Sequence, residues 1–447
     1  MRRGELRCAI TAALQGRELF WSGIRGDDAE SLSDLPQFAG AFSIIAAYDR
    51  RPLKYSLAYE DVSKHRTDLE IWDIDDHLDD APTKQFRSAL LRAMSAPCAL
   101  VPYRPSAFQS ALAFARQDRC LYLGLFGAHQ NAFEHKPWVE TSVRGLGVDA
   151  IEWRYIADED QLDAERLLAD GPIMLRRSRT SGGEGFALVE HPDHLTESWL
   201  WNRESFVSVA RYYADGVPLN VGATVWDDGV TVHFPSVQLI GLPSCTSRPF
   251  GYCGNDFGAV RNLDSQLLVR IEQATRIIGQ WLHHYGYRGT FGVDYLYVEG
   301  RLLFTEVNAR FQGSTRASAR LSVLLDEPCL PLEHVAAHLG ISAPAQRPLT
   351  DRVNDCPALS QVVVHWTGTS PATVDVDDLR ERICGVDSTA RMDARPPSDV
   401  VIDPGATVAR FALERSVTQT GFDLDTALDD AIRPFMAHSA GMRDGSP

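Results

Sequence analysis

The residues best suited to chemistry lie in the segment 289–314, GTFGVDYLYVEGRLLFTEVNARFQGS. Asp294 sits among the apolar residues Val293 and Tyr295 on one predicted strand. Glu306 and Asn308 are two apart on the next, so a period of two puts both on one face. Two carboxylates and an amide oxygen around one turn make an oxygen-rich site. Magnesium takes such hard ligands, commonly one or two carboxylates together with substrate phosphates. Arg310 is two residues further on and points the same way if the strand continues. A cation there can neutralise a transferring phosphoryl group or an acyl phosphate. A half-exposed hairpin with a wet polar face explains the alternation equally well. It explains less well why Gly-Val-Asp and Glu-Val-Asn-Ala-Arg coincide across one tight turn.

A second element is the run Arg176-Arg177-Ser178-Arg179-Thr180-Ser181-Gly182-Gly183-Glu184-Gly185. Glycines let a backbone approach phosphate and offer it N–H donors. The basic approach favours an anion site over a plain flexible loop. Lys136 stands at the start of a predicted helix, where the positive helix end adds to its charge. Taken alone, such a lysine is far more often a solvated surface residue.

These residues need a scaffold. Residues 42–47 and 69–74 are expected to be buried strands. Helices at 84–95 and 106–117 alternate with strands at 98–101 and 121–125. That alternation argues for a parallel α/β unit. No GxGxxG follows its first strand, which argues against dinucleotide binding. Further on, a helix is expected at 136–146, a strand at 151–156, a helix at 158–168, and a hairpin of strands 172–175 and 186–189 with the glycine run at its tip. Residues 206–213 and 217–226 are expected to pair, joined by Ala214-Asp215-Gly216. A strand at 230–240, a long amphipathic helix at 265–285 and the hairpin 291–298 with 301–308 follow. Glu299-Gly300 is a type I′ turn signal. Composition shifts at 344–348, and short strands at 360–365 and 407–413 precede a helix at 424–436. The last residues, 439–447, are expected to be disordered.

The four elements, in order, resemble the ATP-grasp superfamily: Lys136, then Arg176 with Gly182-Gly183-Glu184-Gly185, then Asp294, then Glu306-Val307-Asn308-Ala309-Arg310. The likeness covers about residues 100–340. Its most specific part is similar to the ExNxR strand of biotin carboxylase and related carboxylate–amine ligases. The resemblance implies a Rossmann-like domain over 1–130 preceding the ATP-grasp unit and a small subdomain with the glycine loop over 131–212. A large subdomain with the metal site would span 213–344 and a small α+β region 345–447. ATP would lie between the two subdomains. Lys136 and Arg176 would contact its phosphates, although family members usually carry lysine at the second position. Ser178, Ser181, Gly182, Gly183 and Gly185 would close over them. Arg211, Tyr212 and Tyr213 would face the adenine, and the acid many relatives have at the start of this hinge is absent. Asp294, Glu306 and Asn308 would hold magnesium, and Arg310 would stand at the reacting phosphate.

The implied reaction activates a carboxylate as an acyl phosphate, with release of ADP, and joins it to an amine. A looser likeness to amino-acid and peptide ligases of bacterial secondary metabolism suggests an amino acid or peptide as substrate. The segment 238–256 is expected to be a specificity loop, with Gln238, Tyr252 and Asn255 as substrate contacts. One alternative is carboxylation through carboxyphosphate as in biotin carboxylase, though no biotinyl Met-Lys-Met motif occurs. Another is a non-catalytic nucleotide binder, which would not need Arg310. Family likeness also makes a homodimer a fair expectation.

Composition narrows the remaining classes. The net charge of −16 gives no support to nucleic-acid binding. The eight cysteines are scattered without a CxxC pair, which argues against a zinc site or disulfide framework. Neither a signal-peptide pattern nor a membrane-length apolar run occurs, so a cytoplasmic protein is expected. His233, His283 and His284 read as structural or solvated.

Overall fold

The computed structural model describes residues 1–47, 53–69, 73–74, 79–157, 162–177, 182–183, 185–197 and 206–441. Its strands in chain order begin with β1 (Glu18–Arg25), β2 (Phe38–Ile45), β3 (Leu57–Ala58), β4 (His65–Arg66), β5 (Cys98–Pro102) and β6 (Cys120–Tyr122). Five of these form a parallel sheet in the order β3-β2-β1-β5-β6. Its strands are apolar on both faces, as parallel strands covered by helices must be. Helices Ala81–Ala93 and Ala107–Ala115 each start at a side-chain cap, Asp80 and Ser106 respectively. Such caps satisfy N–H groups that the first helical turn leaves without partners.

A second, four-stranded antiparallel sheet has the order β7-β10-β8-β9. It comprises β7 (Arg154–Ala157), β8 (Ile173–Arg176), β9 (Phe186–Val189) and β10 (Phe206–Arg211). The third sheet contains β11 (Val217–Val225), β12 (Val230–Ile240), β13 (Tyr252–Asp256), β14 (Gly289–Val298), β15 (Arg301–Asn308), β16 (Ser360–His365), β17 (Arg391–Asp393) and β19 (Thr407–Leu413). Its order is β15-β14-β11-β12-β13-β16-β19-β17. The short β18 (Val401–Ile402) pairs with β4, tying the C-terminal region to the N-terminal one.

Two expectations are corrected. The segments 206–213 and 217–226 do not pair with each other: β10 lies between β7 and β8, whereas β11 lies between β12 and β14. The three residues between them carry the chain from one sheet to the next instead of turning a hairpin. The segment 238–256 is not wholly a loop, because β12 runs to Ile240 and Tyr252–Asp256 is β13, paired on both sides. Of the expected strand at 69–74, residues 70–72 lie outside the described residues, while 69 is in no strand and 73–74 are helical.

The β14–β15 turn is as expected, with positive φ at Glu299 (52°) and Gly300 (73°). Behind it packs the helix Ser265–His284, capped by Asp264. Its Leu267, Ile271, Ile278 and Leu282 share a core with Val221 and Val225 of β11 and Phe291 and Val293 of β14. Each such side chain contributes on the order of 1.5–3 kcal/mol by leaving water. This core makes the β11–β14–β15 floor a stable base for the polar side chains on its other face. Among the described residues no helix is long and apolar enough to cross a membrane.

Candidate functional site

Asp294 and Glu306 face each other across the β14–β15 ladder. The register shifts between Asp294 and Tyr295, so Thr305 is an extra residue on β15. Such a bulge re-aims the side chains beside it. Asp294, Glu306, Asn308 and Arg310 all line one cavity of 490 Å³. Asp294 is held by amides: Asn220 Nδ2 donates to its Oδ1 at 2.6 Å, Gln238 Nε2 to the same oxygen at 3.2 Å, and Asn308 Nδ2 to its Oδ2 at 3.2 Å. Burial and the Glu306 charge push the Asp294 carboxyl up to about 7. Two carboxylates forced together in this way are a pair that a divalent cation neutralises. Among the described residues no group of three or more His, Cys, Asp and Glu side chains is arranged to hold a metal. The donor set fits magnesium bound partly through phosphates, which takes only one or two protein carboxylates.

The helix Lys136–Gly145 packs against β15 beside the site, although none of its residues lines the cavity itself. Lys136, Val139, Glu140 and Val143 are its buried residues, a spacing of three and four that makes one face. Val139 and Val143 anchor that face in the core. Lys136, 5% exposed, donates to Glu306 Oε1 at 2.5 Å. One turn on, Glu140 pairs with Arg176 at the end of β8. Arg176, 2% exposed, also lies 3.9 Å over the Trp153 ring. Lys136 therefore sits at the carboxylates, and Arg176 lines the cavity some way along it. Arg310 pairs with Glu134 at 3.3 Å, and Arg104 reaches the same oxygen at 3.5 Å. Burial alone would raise Glu134, but Arg104 and Arg310 outweigh it and hold the carboxyl at about 2.

Beyond Arg176 the cavity becomes apolar. Ile151, Trp153, Met174, Phe186, Tyr212 and Leu296 form a cluster there. Arg211, Tyr212, Tyr213, Gly182 and Gly183 line this end, and Gly185 O accepts from Arg177 N at 3.1 Å beside it. Flat apolar walls bordered by cations are suited to a purine and its phosphates. Ser178 and Ser181 lie outside the described residues. Gln238, Tyr252 and Asn255 also line the cavity. Gln238 belongs with the carboxylates. The Tyr252 hydroxyl donates to Asn255 Oδ1, and Asn255 in turn donates to Ser236 Oγ at 3.0 Å.

Several residues at the site were not singled out in the sequence. Asn220 bridges Asp294 to Gln312 and Ser314. It sits inside the buried strand β11, where one amide in an apolar run was the available signal. Glu134 and Glu140 flank Lys136, and Glu140 lies at the i+4 spacing that places it on the Lys136 face.

No family model matches the chain, and no curated protein matches it. Solved structures do. N5-carboxyaminoimidazole synthetase from Staphylococcus aureus, complexed with ADP, is 11% identical with a TM-score of 0.59, covering 94% of this chain and 97% of that one. Biotin carboxylase from Campylobacter jejuni, as a β,γ-ATP complex, is 13% identical with a TM-score of 0.59, covering 89% and 87%. The biotin carboxylase domain of Hydrogenobacter thermophilus 2-oxoglutarate carboxylase, a dimer with MgADP, ADP and bicarbonate, is 12% identical with a TM-score of 0.55, covering 92% and 84%. The likeness extends over nearly the whole chain, so this protein has the ATP-grasp fold, with its cavity lined from both the four-stranded and the eight-stranded sheet.

Proposed function

We propose that this protein is an ATP-dependent, ADP-forming ligase that activates a carboxylate and joins it to an amine, with an amino acid or peptide among its substrates. The observation that carries this reading is the single cavity that joins an apolar, aromatic end to the Asp294–Glu306 pair and Arg310. Adenine would lie against Trp153, Met174 and Tyr212, with its phosphates directed past Arg176 towards Glu306. Magnesium, when bound, would supply charge neutralisation for the transferring phosphoryl group.

The chain's own residues do the rest. The donor carboxylate attacks the γ-phosphorus, ADP leaves, and an acyl phosphate forms. Arg310, fixed by Glu134, neutralises the oxyanion that develops beside it. The acceptor amine then attacks the acyl carbon, phosphate leaves, and loss of a proton gives the amide. Gly182 and Gly183 close the nucleotide end, which excludes water that would hydrolyse the acyl phosphate. Positioning and charge account for most of such catalysis.

Purified protein given ATP, magnesium and amino-acid mixtures should release ADP and phosphate with an amide product detectable by mass spectrometry. Release of AMP and pyrophosphate would rule out the acyl-phosphate route. A second reading, carboxylation through carboxyphosphate, is favoured by one observation: two of the similar solved structures are named carboxylases, and one of them contains bicarbonate. ADP release that depends on bicarbonate, and not on an amino acid, would select it.

A further inference from the structure

Part of the cavity lining comes from the N-terminal sheet. In the order β3-β2-β1-β5-β6, the chain runs outward from β1 in one direction and then returns to its other side at β5. The β1–β5 boundary is therefore the point at which strand order reverses. In open α/β sheets, ligands bind beyond the carboxyl ends of the strands at such a point. Arg25 is the last residue of β1, and Tyr103 follows β5 directly. Both line the cavity.

Arg25 is 8% exposed. Its Nη2 donates to Thr407 Oγ1 at 3.1 Å. Its Nε is buried with no hydrogen-bond partner. Among the described residues no carboxylate pairs with it. A buried guanidinium in this condition is costly unless an anion completes it. Asp68 and Asp73 also line the cavity, but neither forms an ion pair with Arg25, and Asp68 is held by Arg248. His365 contacts the Tyr252 and Gly405 carbonyls at 2.9 and 3.1 Å, and carries no negative charge in either protonation state.

We infer that Arg25 at the β1–β5 switch point is the seat for a carboxylate carried by the acceptor amine, which makes the acceptor an amino acid. The inference rests on the amide-forming reading above. The guanidinium fork presents parallel N–H groups that match a carboxylate two-fold. One positive charge balances one carboxylate, whereas a phosphate dianion would leave buried negative charge. With the carboxylate held here, the acceptor lies in the same cavity as Arg310 and the acyl phosphate.

The test separates binding from turnover. Each of the twenty common amino acids and its carboxamide is titrated into the full-length protein with ADP and magnesium, and binding is read by thermal shift. At least one amino acid should bind roughly 10- to 100-fold more tightly than its amide, the loss expected for one charge-assisted pair. Arg25→Met should abolish that preference, and Arg25→Lys should restore part of it, with nucleotide affinity unchanged in both. Amides binding as well as acids, tighter binding of O-phosphoethanolamine than of any amino acid, or an Arg25→Met protein that keeps the preference would each overturn the inference. If the preference holds but no amino acid elicits ADP release, the carboxylate seat stands and the ligase reading fails.

Discussion

Lys136 Nζ lies 2.5 Å from Glu306 Oε1, joining residues 170 positions apart in the chain. The contact places a buried ammonium on one of the two carboxylates assigned to magnesium. Its charge must weaken a metal there and attract phosphate. Lys136→Met keeps the side-chain volume and removes the charge. The Michaelis constant for ATP should rise, while the magnesium concentration needed for half-maximal rate should fall severalfold. Glu306→Gln should lower ADP release by at least ~100-fold, the scale of losing one preorganised charge contact. Coupled ADP assays across a magnesium series measure both. Normal turnover by the glutamine variant would remove Glu306 from the metal site.

Much of this site could be read from sequence because its parts are local. Glu306, Asn308 and Arg310 lie within five residues, and the Glu299–Gly300 turn brings Asp294 opposite them. Arg25, Asn220 and Glu134 were not legible, since topology and not spacing brings them in. Asn220 lies within β11 and Arg25 at the end of β1, both largely buried strands, where nothing local distinguishes a site from a satisfied core group. The false pairing of 206–213 with 217–226 has a related cause. Alternation shows that a segment is a strand, but the next strand in sequence need not share its sheet. Tyr252–Asp256 reads as loop because Gly254 and its polar neighbours mimic one, although both of its edges are paired.

Arg176 stands where lysine was the family expectation, and its surroundings are specific to a guanidinium. It lies over Trp153 and pairs with Glu140, which also accepts from the Tyr155 hydroxyl at 3.0 Å. A lysine keeps the charge but loses the stacking plane and the fork. Arg176→Lys should destabilise the protein by roughly 1–3 kcal/mol and raise the Michaelis constant for ATP. Arg176→Met alone should cost more, because it leaves the Glu140 charge buried without this partner, and adding Glu140→Gln should recover part of that loss. Urea denaturation of the three variants distinguishes these outcomes, and a double variant less stable than Arg176→Met alone would refute the pairing argument.

Gly183 ties the glycine-rich tip to the body of the protein. Its φ is +82°, and a Cβ there would stand 1.9 Å from the Phe250 carbonyl oxygen. Gly183→Ala therefore meets both an unfavourable backbone region and a backbone collision. The left-handed conformation alone costs ~1–2 kcal/mol, so ATP should bind roughly 10-fold more weakly or worse. The core is untouched, so the unfolding midpoint should move little. Acyl phosphate lost to water should appear as ADP release in excess of amide product. A variant with unchanged ATP affinity and unchanged coupling would show that this tip does not close the site.

Glu134 holds Arg310 in place, and its pH behaviour should reveal it. Burial raises its carboxyl, yet Arg104, Arg310, a hydrogen bond from Gln130 and Lys136 together bring it from 4.5 to about 2. Because the folded value lies below the ordinary one, the stabilisation is complete above about pH 4.5 and disappears as the pH falls towards 2. The shift corresponds to roughly 3 kcal/mol at neutral pH. Glu134→Gln should be less stable than the natural protein by that order at pH 7, and the gap should narrow steadily at pH 4 and pH 3. The same variant should turn over more slowly, because Arg310 loses the partner that aims it at the reacting oxygen, while ATP binding at the distant aromatic end should be nearly unchanged. A stability gap that stays constant from pH 7 to pH 3 would mean that Glu134 contributes by packing and not by charge.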